Sequence, residues 1–528
     1  MVKSLIYFCL VALFTMRVMG TTVTISQGQS ITSAIAARTS GDTILCNTGI
    51  YTAFSTSGQF SASDPLVIKS STLHGARIQS GDKANFYNAH GIVFEGFEID
   101  GTNMSSNSGL VQVSATSSDI TIKNCHIYNG SYDADCIKIN QTSRVNVIGC
   151  DLHDPGLRVD GTAQETLDLL DCNGGLISGN VFRTITEPAR QYVNAKGGSR
   201  DIIFENNIFL HAKGMEAAVM LGGYSDPIYI NGQFEGVNIT ARNNIIIGST
   251  RGSFVIVNVD GAYIYNNLSY GCSSPNINFG QGGGTGLDGG NRNIYAYNNV
   301  FFNCGMLGKR PMLAKTEAIT IENFVHDNNC FWNSGEILAS DRTFSPAREA
   351  AGVLTDPLLS IDTSGTDYAH IMNSISVAAG SPLVNGGAIP DTACPGIPFD
   401  IKGAVRPLGG AYDIGPLEQA GTAAEKTTDR DMKPGITIAP NPFNPATRIS
   451  VSGLASLRGQ SGLFAAGSEM AAMNVFNMHG TLVQKLSAAC RQLPIGITWD
   501  ASHLPSGVYT IVVTAGSLKL TEKAILLK

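Results

Sequence analysis

The chain has 528 residues, 59 of them glycine, with 43% hydrophobic and only 15% charged residues and a formal net charge of −7. A weakly acidic chain without a Lys/Arg cluster points away from nucleic acid, and no run of eighteen apolar residues is available to span a membrane. Low charge with many Gly, Asn, Ser and Thr suits a long all-β chain whose faces are covered by hydroxyls and amides.

Residues 1–20 carry Lys3, an apolar run from Leu5 to Met16 and a small residue at Gly20, the pattern of a cleaved secretory leader. Thr22 to Ile25 then reads as a strand, and Ile31 to Ala37 as a short amphipathic helix. Ala34, Ile35 and Ala37 are expected to cover the open end of whatever follows, because an uncovered end exposes core and backbone edge.

From Asp119 to Cys330 one phrase returns, as in Glu205-Asn206-Asn207-Ile208-Phe209 and Tyr297-Asn298-Asn299-Val300-Phe301. Aligned on its third residue, the column is Cys125, Cys150, Asn180, Asn207, Asn244, Asn267, Asn299 and Asn329. Each phrase is flanked by β-branched or aromatic residues alternating with polar ones, which describes a strand, a tight corner and another strand. A coil of roughly 25 residues cannot bury its apolar face alone, so coils must stack and share a core. Asn tolerates a left-handed corner, and its amide can bond the coils above and below, which predicts an Asn ladder. The fold expected is all-β: a right-handed parallel β-helix of about ten coils over 21–418.

A second strand precedes the ladder strand in most coils, at Leu110–Val113, Cys136–Asn140, Thr166–Leu170, Tyr192–Lys196, Ala217–Leu221, Phe254–Asn258 and Ile277–Gly280. These should form one parallel sheet. The long insertions, including 153–165, 185–191 and 224–235, fall beside that sheet, where a binding face is expected. The cysteines recur at coil positions, where stacked buried thiols are the plain expectation. Beyond Phe331 the pattern decays, and 419–435 has the composition of a linker. Strands separated by Pro, Gly and Asp turns then describe a small β-sandwich over 436–528, with Trp499 in its core.

The most polar part of the repeats is Asp133 to Arg200. If Val193 and Ala195 point inward, Asn194 and Lys196 point out; Leu167 and Leu169 inward place Asp168 outward, with Glu165 just before it. One coil earlier Lys138 points out, with Asp133 and Asp135 upstream. Acids from two coils thus project beside a lysine from a third. Such a set suits β-elimination on a uronate, whose C5 proton becomes acidic once the carboxylate is neutralised. A Ca²⁺ held by Asp133, Asp135, Glu165 and Asp168 could do that. Lys196 would take the proton, its affinity lowered by burial and nearby positive charge. Arg158, Arg190 or Arg200 would hold the substrate carboxylate, with Asn194, Lys138, Tyr192 and Tyr224 as further substrate-binding groups.

Each of these residues also has a plainer reading. Lys196 suits a solvated lysine, Asp168 and Glu165 ordinary face acids, and Asp133 and Asp135 turn caps.

The phrases Ser30-Ile31-Thr32-Ser33-Ala34-Ile35, Gly41-Asp42-Thr43-Ile44-Leu45, Asp64 to Ser70 and Gly91 to Ile99 resemble the opening of secreted bacterial β-helix proteins of the pectate-lyase-like superfamily. The chondroitinase B and alginate lyase group is nearest. The phrase Val193-Asn194-Ala195-Lys196-Gly197-Gly198-Ser199 resembles the neighbourhood of that group's lysine base, which implies the base role for Lys196. The chain departs from the group at Arg190-Gln191-Tyr192, where a paired-carboxylate calcium element is expected. It departs again at Met220-Leu221-Gly222-Gly223, in place of an Arg beside His-Gly.

The last domain, with Ala439 to Val451, Asn474 to Leu486 and Ile497 to Gly516, resembles the immunoglobulin-like C-terminal sorting module of type 9 secretion. The expectation is a secreted or surface-attached, monomeric polysaccharide lyase acting on an anionic, uronic-acid-containing polysaccharide and delivered by export and sorting machinery. Two alternatives stay open: a β-helix glycoside hydrolase of the polygalacturonase type using Asp135 and Asp168, and a non-catalytic glycan-binding surface protein.

Overall fold

The computed structural model describes residues 20–157, 164–186, 189, 191–212, 217–273, 276–280, 290–304, 313–315, 321–333, 349–388, 397–408, 410–420, 435–439, 446–452, 470–477, 481–489, 497–515 and 518–526. Arg158, Arg190, Cys9, Cys394, Cys490, the leader up to residue 19 and most of the expected linker lie outside these. The chain divides into two compact units, Met1–Ser376 with Ile414–Pro416, and Val377–Asp413 with Leu417–Lys528.

The first unit is a right-handed parallel β-solenoid whose coils contribute to three stacks of strands. In the first stack the inward column runs Ile44, Ile68, Phe94, Ile122, Val147, Ile177, Phe204, Ala241, Ile264, Ala296, all in parallel register. Every one of these side chains is fully buried. The period-2 alternation of the sequence therefore becomes one continuous apolar spine. The second stack has eleven short strands, from Gly49–Tyr51 to Cys330–Trp332. There Phe182 stacks on Phe209 at 4.9 Å and Phe301 on Phe331 at 5.3 Å. The N-terminal helix, Ile31–Ala36, buries Ile31 and Ile35, one turn apart, while Ala37 is exposed at its C-cap. Its covering face is therefore turned slightly from the expected Ala34, Ile35 and Ala37.

The expected ladder joins the first two stacks. Asn180, Asn207, Asn244, Asn267 and Asn299 each receive the backbone N–H of the preceding coil's ladder residue, at 2.8–3.1 Å. Each also donates its Nδ2 to a backbone carbonyl one coil back and to the next amide. Cys125 and Cys150 hold the first two places, with the Cys125 N–H 3.4 Å from the Cys150 sulfur. At the far end Glu349 receives both the N–H and the Nδ2 of Asn329, at 2.9 and 2.8 Å. One feature differs from expectation. The left-handed corner belongs to the residue before each ladder position, namely Asn124, Gly149, Gly179, Asn206, Asn243, Asn266, Asn298 and Asn328. Two neighbouring residues divide the work: the first bends the chain, the second bonds the coils.

Asn244→Ala would leave Phe204 O and both Asn207 donors without their buried partner. A loss of about 1–3 kcal/mol is expected. The check is the denaturant midpoint, which must fall with an unchanged slope.

The eight described cysteines are all buried and unbridged, as stacked thiols should be.

In the second unit, Gly435–Ala439, Ala446–Ser452 and Ile497–Asp500 form one antiparallel sheet. Leu482–Ala489, Met470–Asn477, Gly507–Ala515 and Leu518–Leu526 form another, so that the two resemble a sandwich. Trp499 is fully buried among Ile449, Val475, Ile511 and Val513, and its Nε1 donates to Gln484 at 2.8 Å.

Candidate active site

The third stack of the solenoid is the expected parallel sheet. Its register runs Val111, Ile137, Leu167, Val193, Val219, Phe254, Ile277 on the inward side. The adjacent column therefore reads Gln112, Lys138, Asp168, Asn194, Met220, Val255, Asn278. Polar character is concentrated in its first four members. Two places along, Asn140 pairs Leu170 and Leu170 pairs Lys196.

Lys138, Asp168 and Lys196 meet here because adjacent coils put them in neighbouring rows. The Lys138 ammonium donates to Asp135 Oδ2 at 2.9 Å and to Asp168 Oδ2 at 2.7 Å. Lys196 Nζ lies 3.1 Å from Asp168 Oδ1 and 3.5 Å from Glu165 Oε1. Behind them, Asp135 Oδ1 receives the Glu165 N–H at 2.9 Å, and Gln191 Nε2 donates to Glu165 Oε1 at 2.9 Å. The three acids are buried, whereas the lysine side chains keep 23% and 18% of their surface open. Solvent therefore reaches part of the two lysine side chains and not the carboxylates that their ammonium groups pair with.

Burial raises the Asp135 pKa well above the usual carboxylate range, against the pull of Lys138. Burial would also raise Asp168, yet Lys196 and Lys138 outweigh it and hold that carboxyl well below its ordinary value. Lys196 is itself raised, because Asp168 and Glu165 overcome the opposing effects of burial and of Lys138. That reverses the expectation for a lysine base: the neighbouring acids dominate, and Lys196 rests as an ammonium.

The other expected site residues are scattered. Tyr192 is only 1% exposed. It stands before its strand rather than within it, so its ring turns into the core against the stacked Phe182 and Phe209 and its hydroxyl donates to Leu210 O at 2.7 Å. A substrate-binding role does not suit it. Asn194 is fully buried, its Oδ1 receiving the Leu169 N–H at 3.2 Å. Arg200 lies past the Gly197–Gly198 turn, on a strand of the first stack. Asp133 occupies a left-handed turn with φ 62° and does not join the acid cluster. Tyr224 is 40% exposed, next to Gly223, which lies close against the Lys196 stem.

Two contributors were not singled out from the sequence. Gln191 steadies Glu165. Glu235, fully buried, receives the Gly197 N–H at 2.7 Å and the Ser225 N–H and hydroxyl at 2.7 and 2.8 Å. It ties the 224–235 insertion to the turn that follows Lys196. An acid between Phe234 and Gly236 at the mouth of a strand was the available signal. A groove of about 300 Å³ near Asn129, Asp154 and Thr186 contains none of the lysine and acid cluster.

Asp135, Glu165 and Asp168 each bring a carboxylate oxygen within 4.8 Å of the others, a buried acidic cluster capable of coordinating a metal ion. Calcium takes about six to eight oxygens. Here four of the six carboxylate oxygens already accept a hydrogen bond, while Asp168 Oδ1, buried and without one, has the Lys196 ammonium 3.1 Å away. With the lysines so placed, a calcium ion would have to displace ammonium groups to reach these carboxylates. The same compactness disfavours the hydrolase alternative, since an inverting pair needs about 6.5–9.5 Å between carboxyls.

Residues 48–226 match the family described as right handed beta helix region, and residues 437–527 match the secretion system C-terminal sorting domain. No curated protein matches the chain. Among solved structures, pectate lyase Pel9A is similar at 16% identity and TM-score 0.41, over 76% of this chain and 97% of that one. A mannuronic acid specific family 6 polysaccharide lyase from human gut microbiota is similar at 13% identity and TM-score 0.40, over 60% and 77%. The catalytic domain of an α-1,3-glucanase is similar at 12% identity and TM-score 0.41, over 60% and 59%. No chemistry is carried over from these likenesses. The sorting domain marks an exported protein, secreted or attached at the cell surface. Among the described residues no helix is long and apolar enough to cross a membrane.

Proposed function

We propose that this exported bacterial β-helix protein, with its C-terminal sorting domain, is a polysaccharide lyase that cleaves a uronic-acid-containing anionic polysaccharide by β-elimination. The observation that carries the proposal is the pair of ammonium groups, Lys138 and Lys196, presented on the third sheet over buried carboxylates. An anionic sugar can pair with the two partly buried lysines, while Tyr224 and Tyr229 on the neighbouring insertion offer exposed rings to sugar faces.

In the reaction the C5 proton passes to the free-amine form of Lys196. The electron pair left behind becomes the C4–C5 double bond, and the C4–O bond of the glycosidic link breaks. The departing oxygen is then protonated by Lys196 or by water. Gly223 supports the lysine stem, and Glu235 fixes the turn after it. Calcium, the ion that the family resemblance implies, would meet the Lys138 and Lys196 ammonium groups among the carboxylate oxygens of Asp135, Glu165 and Asp168.

A base held as an ammonium has a signature in pH. The Lys196 pKa is raised above its ordinary value of about 10.4, so the reactive amine is a small fraction at neutral pH and grows tenfold per unit. The logarithm of kcat/KM should rise with a slope near one from about pH 7 to pH 10. A plateau already reached below pH 8 would remove Lys196 as the base.

A further inference from the structure

We propose that Lys138 stands in the place of a divalent cation, so that the site neutralises the substrate's carboxylate with an ammonium group of its own chain and works without metal. This rests on the β-elimination reading and assigns its missing electrophile. Lys138 Nζ bridges Asp135 and Asp168 at 2.9 and 2.7 Å, between two of the three acids that could ligate an ion. The third, Glu165, is engaged by Gln191 and Lys196.

A calcium ion entering this cluster would have to displace both ammoniums from carboxylates that are 0–6% exposed. It would then lie beside two nearly buried positive charges. The fixed ammonium meets the chemical need in another way. Two of its three N–H donors are used on Asp135 and Asp168, which hold it in position and protonated, and the third is left for a sugar carboxylate that approaches the partly open side chain. Lys138 transfers no proton and forms no bond; it offsets the charge that develops as C5 loses its proton.

The test uses the full-length protein. Calcium is titrated calorimetrically, Tb³⁺ by luminescence, and the thermal midpoint is read in calcium and in EDTA. The wild type should take up no stoichiometric calcium and show the same midpoint in both. Lys138→Met keeps the bulk of the stem but exposes the acids to an ion, and should gain a saturable Tb³⁺ site at least tenfold tighter than any in the wild type. One equivalent of calcium bound by the wild type, with a midpoint raised by several degrees, overturns the proposal. That titration decides alone should the variant not fold.

Activity separates this proposal from the one beneath it. Unsaturated product that disappears in EDTA would refute the ammonium role and leave the elimination standing. Absence of both calcium uptake and unsaturated product would keep Lys138 in the cation's place and sink the elimination.

Discussion

Lys196→Ala should slow the chemical step by about 10²–10⁴-fold, the range for losing a positioned base, with substrate affinity changed much less. The lysine reaches the cluster from the last residue of the strand Val193–Lys196, and two glycines with φ 65° and 91° follow it. A side chain at Gly197 would run into Leu170, so the turn leaves little freedom in where the lysine points. Because Lys196 also pairs with Asp168, a fall in activity alone could reflect damage to the cluster. Lys196→Arg removes that ambiguity: it keeps the positive charge but cannot lose its proton in the working pH range. It should be as inactive as the alanine variant while unfolding near the wild-type midpoint, and small primary amines should restore part of the rate to Lys196→Ala only. Near-full turnover in Lys196→Arg would mean that the residue holds charge and does no proton transfer.

The largest stability effect is expected at Asp168. Asp168→Asn leaves Lys138 with Asp135 alone and Lys196 with Glu165 alone, two nearly buried ammoniums short of a partner. Breaking a buried pair by removing one member costs about 3–5 kcal/mol. The sign with pH follows from the lowered Asp168 pKa. Its stabilisation is fully present above the unfolded value of about 3.9 and is lost as pH falls through the folded value. The difference between wild type and variant in urea midpoint should therefore be large at pH 7 and shrink below about pH 4. A difference under about 1 kcal/mol at pH 7 would show that the cluster is solvated and contributes little.

Much of the fold was legible because it repeats. The column from Cys125 to Asn329 marks the residue just after the corner in eight successive coils, and the inward alternation of Val193 and Ala195 is what buries them. The sequence did not separate the bending residue from the bonding one, since Asn suits both tasks. Glu349 as the end of the ladder was equally hidden, because it lies outside the repeat and is brought there by tertiary folding.

The site was legible in part. Register alone predicts that Asp135, Glu165, Asp168 and Lys196 approach one another across three coils. Alternation failed at Tyr192, which precedes its strand and follows the core instead of the pleat. It could not show that Lys138, read as a substrate contact, lies between two acids, because that depends on how a long flexible stem settles among charges. The direction of the Lys196 shift was misjudged for the same reason: two carboxylates and one ammonium compete, and only their distances decide.

The central claim is tested most directly by the product. The full-length protein is incubated, in parallel in EDTA and in calcium, with alginate, pectate, chondroitin, glucuronan and ulvan, and near-ultraviolet absorbance is followed beside a reducing-end assay. The account predicts that at least one of these gives an unsaturated uronide at the same rate as new ends appear, and that Lys196→Arg gives neither. New reducing ends without ultraviolet absorbance would contradict it in favour of hydrolysis, and binding to the polysaccharides without any product would make the third sheet a glycan-binding face.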